Sequence, residues 1–348
     1  MKGTYQILFN LYFVFFIIII LSACKRRDDP VIKANNWQTI YQNSDLDLFS
    51  IKFLDKNNGY VLAGLSAVHT SPNWELILST TDGGNNWIAD TCVFPTINDL
   101  DTDIFPLGKG IILGIGSHVY RSDDNGKTWL DLTPQFVYGA RINDLYFIDT
   151  STWLIAQGVN IFRTTDAGQT WQAVFHTDFM GAFAHFSFPS PNIGYISTGV
   201  VDIDHGVSAG LIIKTIDGGQ TWTTLTSEPW KSSGINLPAL VAMQFINDID
   251  GFISTFENYK LYKTIDGGNN WSIVPNNKTI NSLMYFVDEK AGYYSDGYTI
   301  YITNDGGKTW KIDNYNNSPN SDILVWTFLY NGQGYALTRD HRIIKNMN

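Results

Sequence analysis

The sequence predicts an all-β fold, a seven-bladed β-propeller built from four-stranded antiparallel blades. Three observations predict it. A box of the form Thr/Ser-x-Asp-x-Gly-x-Thr/Asn-Trp occurs six times, and a period of roughly 40–50 residues with one turn motif each is typical of one blade per repeat. A phenylalanine in an apolar run recurs seven times. Residues 35–41 resemble the segment that follows a box, although no box precedes them.

The boxes predict the turn between the third and fourth strand of each blade. Asp followed by Gly or Asn is hairpin-turn chemistry, and an Asp side chain accepts hydrogen bonds from backbone N–H groups across its own turn. The tryptophan opens the next strand and is expected to pack against the neighbouring blade. We therefore interpret the boxes as structural. The box aspartates are Asp82, Asp124, Asp166, Asp217, Asp266 and Asp305. The box tryptophans are Trp87, Trp129, Trp171, Trp222, Trp271 and Trp310.

The phenylalanine register counts seven blades and indicates how the ring closes. Each phenylalanine precedes a turn, and a Gly followed by an apolar residue usually opens the next strand. The last repeat has a predicted third strand at 341–345 but no box and no fourth strand. We expect the segment that begins at Trp37 to supply that strand, so the propeller covers residues 36–348. The phenylalanines are Phe53, Phe105, Phe147, Phe188, Phe245, Phe286 and Phe328.

The N-terminal 23 residues have the plan of a bacterial signal peptide. Lys2 precedes a long apolar run that ends in small residues. The segment Leu21-Ser-Ala-Cys24 resembles a lipobox, in which Cys24 becomes the lipidated first residue of the mature protein. The alternative is an uncleaved membrane anchor, because the run approaches the ~17–25 residues that span a bilayer. We expect residues 24–35 to form a tether and the protein to lie in the bacterial cell envelope.

Composition and missing motifs exclude several function classes. The formal net charge of −10 argues against non-specific nucleic-acid binding. The chain contains no phosphate-binding glycine loop and no zinc-ligand pair. The run from Asp99 fails as a calcium loop because Ile104 and Gly110 stand where Gly and Glu are needed. We expect no cofactor, no metal and no catalytic residues.

Long loops indicate where a partner would bind. Insertions at 66–74, 200–210 and 228–238 fall on the predicted face opposite the box turns, and loops longer than closure requires are often functional. Tolerated variation in loop length is the alternative. The candidate binding residues on these loops are Trp74, Asp202, Asp204, His205, Trp230 and Lys231.

Asp103 is a local anomaly in the second blade. The residue two before each repeat phenylalanine is apolar in the other six repeats, and a buried carboxylate needs a partner or a raised pKa. Asp101 lies on the same side of that strand by period two. The two acids would line the axial channel and hold a cation or a basic group. In the alternative interpretation, the blade starts later and both acids are solvated.

The boxes, the phenylalanines and the Gly-aromatic strands resemble the Asp-box (BNR) repeat proteins. Over residues 36–348 the chain is most similar to the photosystem II assembly/stability factor-like family. That resemblance implies a single seven-bladed propeller that acts in assembly without catalytic residues. Photosynthesis itself does not carry over, because many relatives occur in non-photosynthetic bacteria. The arginine patch of photosynthetic members is not expected, since Arg121, Arg163 and Arg342 occupy repeat strand positions.

Sialidases and related glycoside hydrolases also carry Asp boxes. A sialidase needs three arginines around its substrate carboxylate and a Tyr–Glu pair, and this chain has too few arginines outside the repeats. We therefore predict a protein-binding, assembly-factor-like module that a lipid anchors to the membrane. The alternative is a carbohydrate-binding or glycoside-hydrolase-like protein whose exposed aromatic rings bind a glycan.

Overall fold

The fold consists of short β-strands joined by turns. The computed structural model describes residues 37–65, 74–93, 102–107, 110–134, 141–176, 185–202, 207–225, 240–255, 260–275, 283–313, 322–329 and 332–347, and these contain no helix. The first strands in chain order are β1 (Trp37–Gln42), β2 (Leu46–Phe53), β3 (Gly59–Leu65), β4 (Trp74–Thr80), β5 (Ile88–Val93), β6 (Thr102–Leu107), β7 (Gly110–Ile115), β8 (His118–Ser122), β9 (Leu130–Asp131), β10 (Ile142–Phe147), β11 (Trp153–Gln157), β12 (Asn160–Thr164) and β13 (Gln172–His176). The remaining strands are β14 (His185–Ser187), β15 (Gly194–Asp202), β16 (Val207–Thr215), β17 (Thr223–Thr224), β18 (Leu240–Phe245), β19 (Gly251–Thr255), β20 (Leu261–Thr264), β21 (Ser272–Ile273), β22 (Leu283–Phe286), β23 (Gly292–Ser295), β24 (Ile300–Thr303), β25 (Lys311–Asp313), β26 (Ile323–Phe328), β27 (Gly334–Thr338) and β28 (Arg342–Asn346).

The strands form seven antiparallel sheets of four, which are the blades. Blade 1 has the order β2-β3-β4-β5, and blades 2 to 6 repeat this meander along the chain. Blade 7 has the order β26-β27-β28-β1. The predicted all-β, seven-bladed propeller is therefore confirmed.

The N-terminal strand closes the ring as expected. Strand β1 pairs antiparallel with β28, from Trp37 opposite Asn346 to Gln42 opposite Arg342. Trp37 is buried, and its ring lies edge-on to Phe328 at 6.1 Å between centroids. Because β1 occupies the outer edge of the last blade, the two ends of the chain are joined by a hydrogen-bonded ladder.

Two kinds of turn lie together on one face of the ring, which we call the box face. In blade 1 the Gly83 N–H of the box turn donates to the Asn57 carbonyl, in the turn between the first two strands, at 2.9 Å. Blade 5 repeats the bond from Gly267 to Ile249 at 2.8 Å. The turns between second and third strands lie on the other side, which we call the opposite face.

The core is divided among the blade interfaces. Within the described residues, one buried apolar cluster lies at each of the seven junctions between neighbouring blades. Repeat phenylalanines stack on aromatic rings of the preceding blade; Phe245 lies 3.4 Å from Tyr195, and Phe53 lies 3.6 Å from Tyr335. Gly59 is required beside Phe53, because a Cβ there would lie 2.5 Å from the ring. The blades are therefore held mainly by their neighbours.

Blade 2 departs from the predicted register by one residue. In blades 1, 4, 5 and 6 a glycine such as Gly59 pairs with the box threonine, but in blade 2 Ile111 pairs with Ser122 and, on its other side, with Pro106. Pro106 thus takes the position that the sequence reading gave to Phe105. Ile104, which is fully buried, takes the apolar position that had been assigned to Asp103. A slip of one residue changes which side of a strand each side chain occupies.

Two further predictions differ from the structure in detail. The insertion at 200–210 is mostly paired strand, because β15 and β16 continue to the pair Asp202 and Val207. The third strand of blade 7 begins at Arg342, since His341 lies in the preceding turn with φ of 64°. The insertion is therefore an extended hairpin on the opposite face.

The closure predicts a strong effect of truncation. Deleting residues 35–42 removes β1, and we expect the free energy of unfolding to fall by at least about 3 kcal/mol, the cost of losing one buried tryptophan side chain alone. Chemical denaturation monitored by tryptophan fluorescence measures it. Deleting residues 25–34 is the matched control and should leave the midpoint unchanged. Equal midpoints for both deletions would contradict the closure.

Candidate functional site

Each box is a closed network of hydrogen bonds. In blade 3 the Thr164 hydroxyl donates to Asp166 at 2.7 Å and accepts from the buried Gly168 N–H at 3.0 Å. Asp166 Oδ1 also accepts from the Thr170 N–H at 2.8 Å, and Oδ2 accepts from the Thr170 hydroxyl at 2.6 Å. The other five boxes repeat the arrangement. Both oxygens of each box carboxylate are therefore engaged within the turn.

The electrostatics of the boxes agree with a structural role. Hydrogen bonds from Asn86 lower the pKa of Asp82 to about 2. Hydrogen bonds from Thr128 and from Thr170 lower the pKa of Asp124 and of Asp166 to about 2. A catalytic acid needs a pKa nearer to the working pH. These carboxylates are permanently ionised acceptors.

Cations at the end of the third strands join neighbouring blades. Arg163 donates to the Gly218 carbonyl in the next box turn at 3.0 Å, and Lys214 donates to Gly267 at 3.4 Å. Lys345 donates to Gly83 at 2.9 Å and so crosses the closure. These side chains satisfy box-turn carbonyls.

Three further arginines form ion pairs with aspartates of the chain. Arg121 lies 2.9 Å from Asp123, and Arg342 lies 2.6 Å from Asp340. Arg339 pairs with Asp322 at 3.0 Å. Arg121, Arg339 and Arg342 are thus each engaged by an aspartate carboxylate.

The axial channel holds a cavity of about 450 Å³ between the inner strands. The cavity is lined by Lys52, Phe105, Asp144, Leu145, Tyr146, Phe147, Phe186, Ala242, Met243 and Met284. The Lys52 ammonium lies 5.3 Å from the centre of the Phe105 ring. Asp144 accepts from the backbone N–H groups of Phe186 and Leu145 at 2.7 and 2.9 Å. Asp144 therefore connects its own inner strand, β10, to β14, the inner strand of the next blade.

Asp103 falls, by the corrected register, on the strand position that Ser50 and Asp144 occupy in their blades. Those two side chains accept backbone N–H groups from the next blade, at 3.4 Å for Ser50 and Ile104. The apolar position of the repeat is thus taken by Ile104, and the prediction that Asp101 and Asp103 hold a cation stays a prediction. Within the described ranges no group of His, Cys, Asp or Glu side chains has a metal-binding arrangement.

The predicted binding residues are only partly within the described chain. Trp74 is the first residue of β4 and lies beside the last residue of β3. Asp202 is the last residue of β15. The backbones of both residues lie on the opposite face. The remaining predicted residues lie outside the described residues: Asp101, Asp204, His205, Trp230, Lys231 and the lipidation site Cys24.

The structure adds exposed apolar side chains to the opposite face that sequence reasoning missed. Phe49 and Leu324 lie at bulges of the inner strands of blades 1 and 7, and their exposed fractions are 38% and 43%. Leu65 ends β3, and Tyr298 lies in the turn of blade 6. The signal for the bulge was present, because the apolar alternation at Leu46 and Leu48 resumes out of phase at Ile51.

Comparison with known proteins shows similarity to Asp-box repeat proteins and to assembly factors. The family model described as photosynthesis system II assembly factor YCF48 matches residues 29–200, and the BNR/Asp-box repeat model matches residues 301–311. The chain matches the Ycf48-like BNR propellers. A curated relative, the photosystem II assembly lipoprotein Ycf48 of Synechococcus sp. (strain CC9902), is 25% identical over 131 residues, which are 36% of either chain. The aligned part thus covers about a third of that relative.

Solved structures share the fold over most of the chain. A structure of YCF48 bound to D1 peptide superposes with a TM-score of 0.65 at 17% identity, covering 92% of this chain and all of that one. YCF48 from Cyanidioschyzon merolae gives 0.62 at 16% identity, covering 89% and 98%. The GH74 xyloglucanase of Xanthomonas campestris gives 0.58 at 13% identity and is covered over 59% of its length. At these identities the likeness shows the fold alone.

The box threonine gives a direct test of the structural interpretation. Thr164→Val leaves the buried Gly168 N–H without its acceptor, and we expect the free energy of unfolding to fall by about 1–3 kcal/mol. Urea denaturation measures the change. Thr223→Val, at an exposed position of the neighbouring blade, is the control and should change the stability little. An unaltered midpoint for the Thr164 variant would contradict the network.

The box pKa values predict acid sensitivity. The pKa of Asp166 is about 2 in the folded chain and 3.8 without the fold. Its stabilising contribution is therefore complete above pH ~4 and is lost as the pH falls toward 2. We expect Asp166→Asn to flatten part of the decline in melting temperature between pH 5 and pH 2. Parallel curves for wild type and variant would show that the carboxylate is not held in this way.

Proposed function

We propose that the chain is an envelope-anchored, assembly-factor-like module that binds a protein partner on the opposite face of its propeller. The observation that carries the proposal is the match to Ycf48-like propellers, one of which was solved with a bound peptide. Fold likeness alone does not transfer a function. The proposal therefore also depends on which surfaces of this chain are left for binding.

The boxes and the repeat cations are already used by the ring, which supports a non-catalytic role. Both carboxylate oxygens of Asp166 face donors of its own turn, and Arg163 is bound to the next blade. Most glycosidases need two carboxyl groups around one cleft, and a sialidase needs a Tyr–Glu pair with three arginines. The box acids sit one to a blade, and their lowered pKa values do not suit a general acid.

The opposite face offers apolar anchors of the kind that dominate protein interfaces. Phe49, Leu65 and Leu324 are exposed at blades 7 and 1, where Phe49 approaches Gly64 closely. Trp74 begins the strand next to the end of β3. Aromatic and aliphatic anchors surrounded by polar groups are typical of binding hot spots. Asp202, Asp204, His205, Trp230 and Lys231 would tune specificity from neighbouring loops.

Anchoring is the second part of the proposal. The lipobox-like Leu21–Cys24 segment supports lipidation of Cys24 and a position in the bacterial cell envelope. Within the described part of the chain no helix is long and apolar enough to cross a bilayer. Several acyl chains on one cysteine hold a protein on a membrane stably.

Lipidation predicts a simple labelling result. In cells fed an alkyne fatty acid, the wild-type chain should be labelled and recovered with membranes, and Cys24→Ser should lose the label. Cys92→Ser is the matched control and should keep it, because Cys92 is fully buried in the propeller. Equal labelling of wild type and Cys24→Ser would contradict a lipoprotein.

Partner binding predicts loss of a specific cross-link. The double substitution Phe49→Ser with Leu324→Ser should weaken capture of the protein that the wild-type chain binds by at least about tenfold, or ~1.4 kcal/mol. The melting temperature should change little. Quantitative cross-linking in the native envelope, followed by mass spectrometry, measures capture. Ile88→Ser with Ile312→Ser, on exposed outer strands, is the control. If only the control pair loses the partner, the binding face is assigned wrongly.

A further inference from the structure

The place where the chain enters the propeller fixes which face lies nearest to its anchor. Trp37 starts β1 opposite Asn346, and it packs on Phe328 beside the turn between the first two strands of blade 7. That turn belongs to the box face. Strand β1 then runs toward Arg342 and the opposite face. The segment that leads from Cys24 therefore reaches the propeller on the box face.

The length of that segment keeps the box face close to a membrane. Twelve residues, 25–36, separate Cys24 from Trp37. At about 3.3–3.6 Å per residue, the thirteen steps span at most ~45 Å. A fully extended segment is entropically costly, so the typical separation is shorter.

The box face also carries a cluster of exposed isoleucines that the fold does not need. Ile216 and Ile265 follow the box threonines of blades 4 and 5, and their exposed fractions are 71% and 69%. Ile249, in the adjoining turn of blade 5, is 55% exposed. The Gly267 N–H binds the Ile249 carbonyl at 2.8 Å, and Lys214 binds the Gly267 carbonyl at 3.4 Å. These bonds hold the two turns of blade 5 and the strand leading to Ile216 together.

Polar residues occupy the matching positions in other blades. The residues that follow the first box residue elsewhere are Thr81, Asp123, Thr165 and Asn304. The residues that match Ile249, by the same hydrogen bond to the box turn, are Asn57, Ser151, Asn192 and Lys290. Because the box geometry accepts polar side chains at these sites, the isoleucines are not required by the turn. Three of them at neighbouring turns form an apolar patch.

We propose that the box face is the membrane-facing side of the propeller and that Ile216, Ile249 and Ile265 lie in the headgroup layer of the bilayer. This inference rests on the proposed lipid anchor at Cys24. Blade 4 lies three blades away from blade 7 around the ring of seven, and blade 5 lies two blades away. The tether at blade 7 and the isoleucines at blades 4 and 5 therefore give two separated attachments, which together keep this face against lipid.

The charges select the kind of lipid surface. Asp217 and Asp266 flank the isoleucines but are bound within their own turns, and Asp248 and Asp250 add further negative charge. The chain as a whole carries −10. An acidic face is repelled by an anionic membrane and not by a neutral one. The patch therefore fits a predominantly zwitterionic headgroup layer, into which aliphatic side chains can insert.

Photocross-linking tests the orientation independently of natural lipidation. The chain from residue 24 is coupled through the Cys24 thiol to a maleimide lipid in phosphatidylethanolamine–phosphatidylcholine vesicles; the buried Cys92 thiol does not compete. Benzoylphenylalanine replaces Ile216, Ile265 or, on the opposite face, the 66% exposed Tyr298. We expect lipid adducts from the first two sites to exceed those from Tyr298 by at least about tenfold, or ~1.4 kcal/mol.

Two results would overturn the inference. Equal or greater lipid adducts from Tyr298 would place the opposite face against the bilayer. In a second experiment the probe stays at position 216 and the other two isoleucines are replaced, Ile249→Ser with Ile265→Ser. An unchanged yield of lipid adducts would show that the apolar patch does not contribute to membrane contact. Because the anchor is supplied chemically, a failure here is separate from a failure of fatty-acid labelling in cells. Adding anionic lipid to the vesicles should lower the adduct yield at Ile216, and a rise would contradict the assigned lipid class.

Discussion

Pairing of β1 with β28 is the interaction on which the rest of the structure depends. Every blade buries its faces against two neighbours, so no blade has a complete core of its own, and the ring gains that burial only when it closes. Three contacts make the closure. The backbone of β1 pairs with β28, the Trp37 ring is buried, and Lys345 donates to the Gly83 carbonyl of blade 1. Three independent contacts thus join the first and last parts of the chain.

The box network shows why repeated acidic residues need not indicate chemistry. Asp166 has a low pKa because its carboxylate accepts from the Thr170 hydroxyl, the Thr170 N–H and the Thr164 hydroxyl, and these bonds fix the turn and keep the carboxylate ionised at neutral pH. Arg163 and Lys214 donate hydrogen bonds to carbonyls in the box turn of the next blade. The box turns therefore also join neighbouring blades. A surface that serves closure in this way is left with few groups for recognition, apart from side chains such as Ile216 that the turn does not use.

The periodic features were predictable from the sequence, and the irregular ones were not. Six boxes and a boxless last repeat indicated seven blades and an N-terminal closing strand. Blade 2 was misaligned because Phe105 looks like the repeat phenylalanine, whereas Pro106 occupies that position and pairs with Ile111. The outcome depended on pairing with Ile111 and Ser122, which no local pattern encodes. Trp74 and Asp202 were placed on the correct side by topology, but Phe49 and Leu324 become exposed only through bulges in the inner strands.

The two faces of the ring differ in what they can bind, and the difference follows from where the chain enters. Strand order requires that an N-terminal strand which completes the last blade start at the box face, as Trp37 does. Trp37 therefore enters on the same face as the turns that carry Ile216 and Ile265, while Leu65 and Tyr298 lie on the other side. If the anchor instead followed β28, Asn346 would also leave on the box face, so this polarity does not depend on which end bears lipid. Because the closing strand enters at the box face, the opposite face is the side that lies away from the point where the chain enters the propeller.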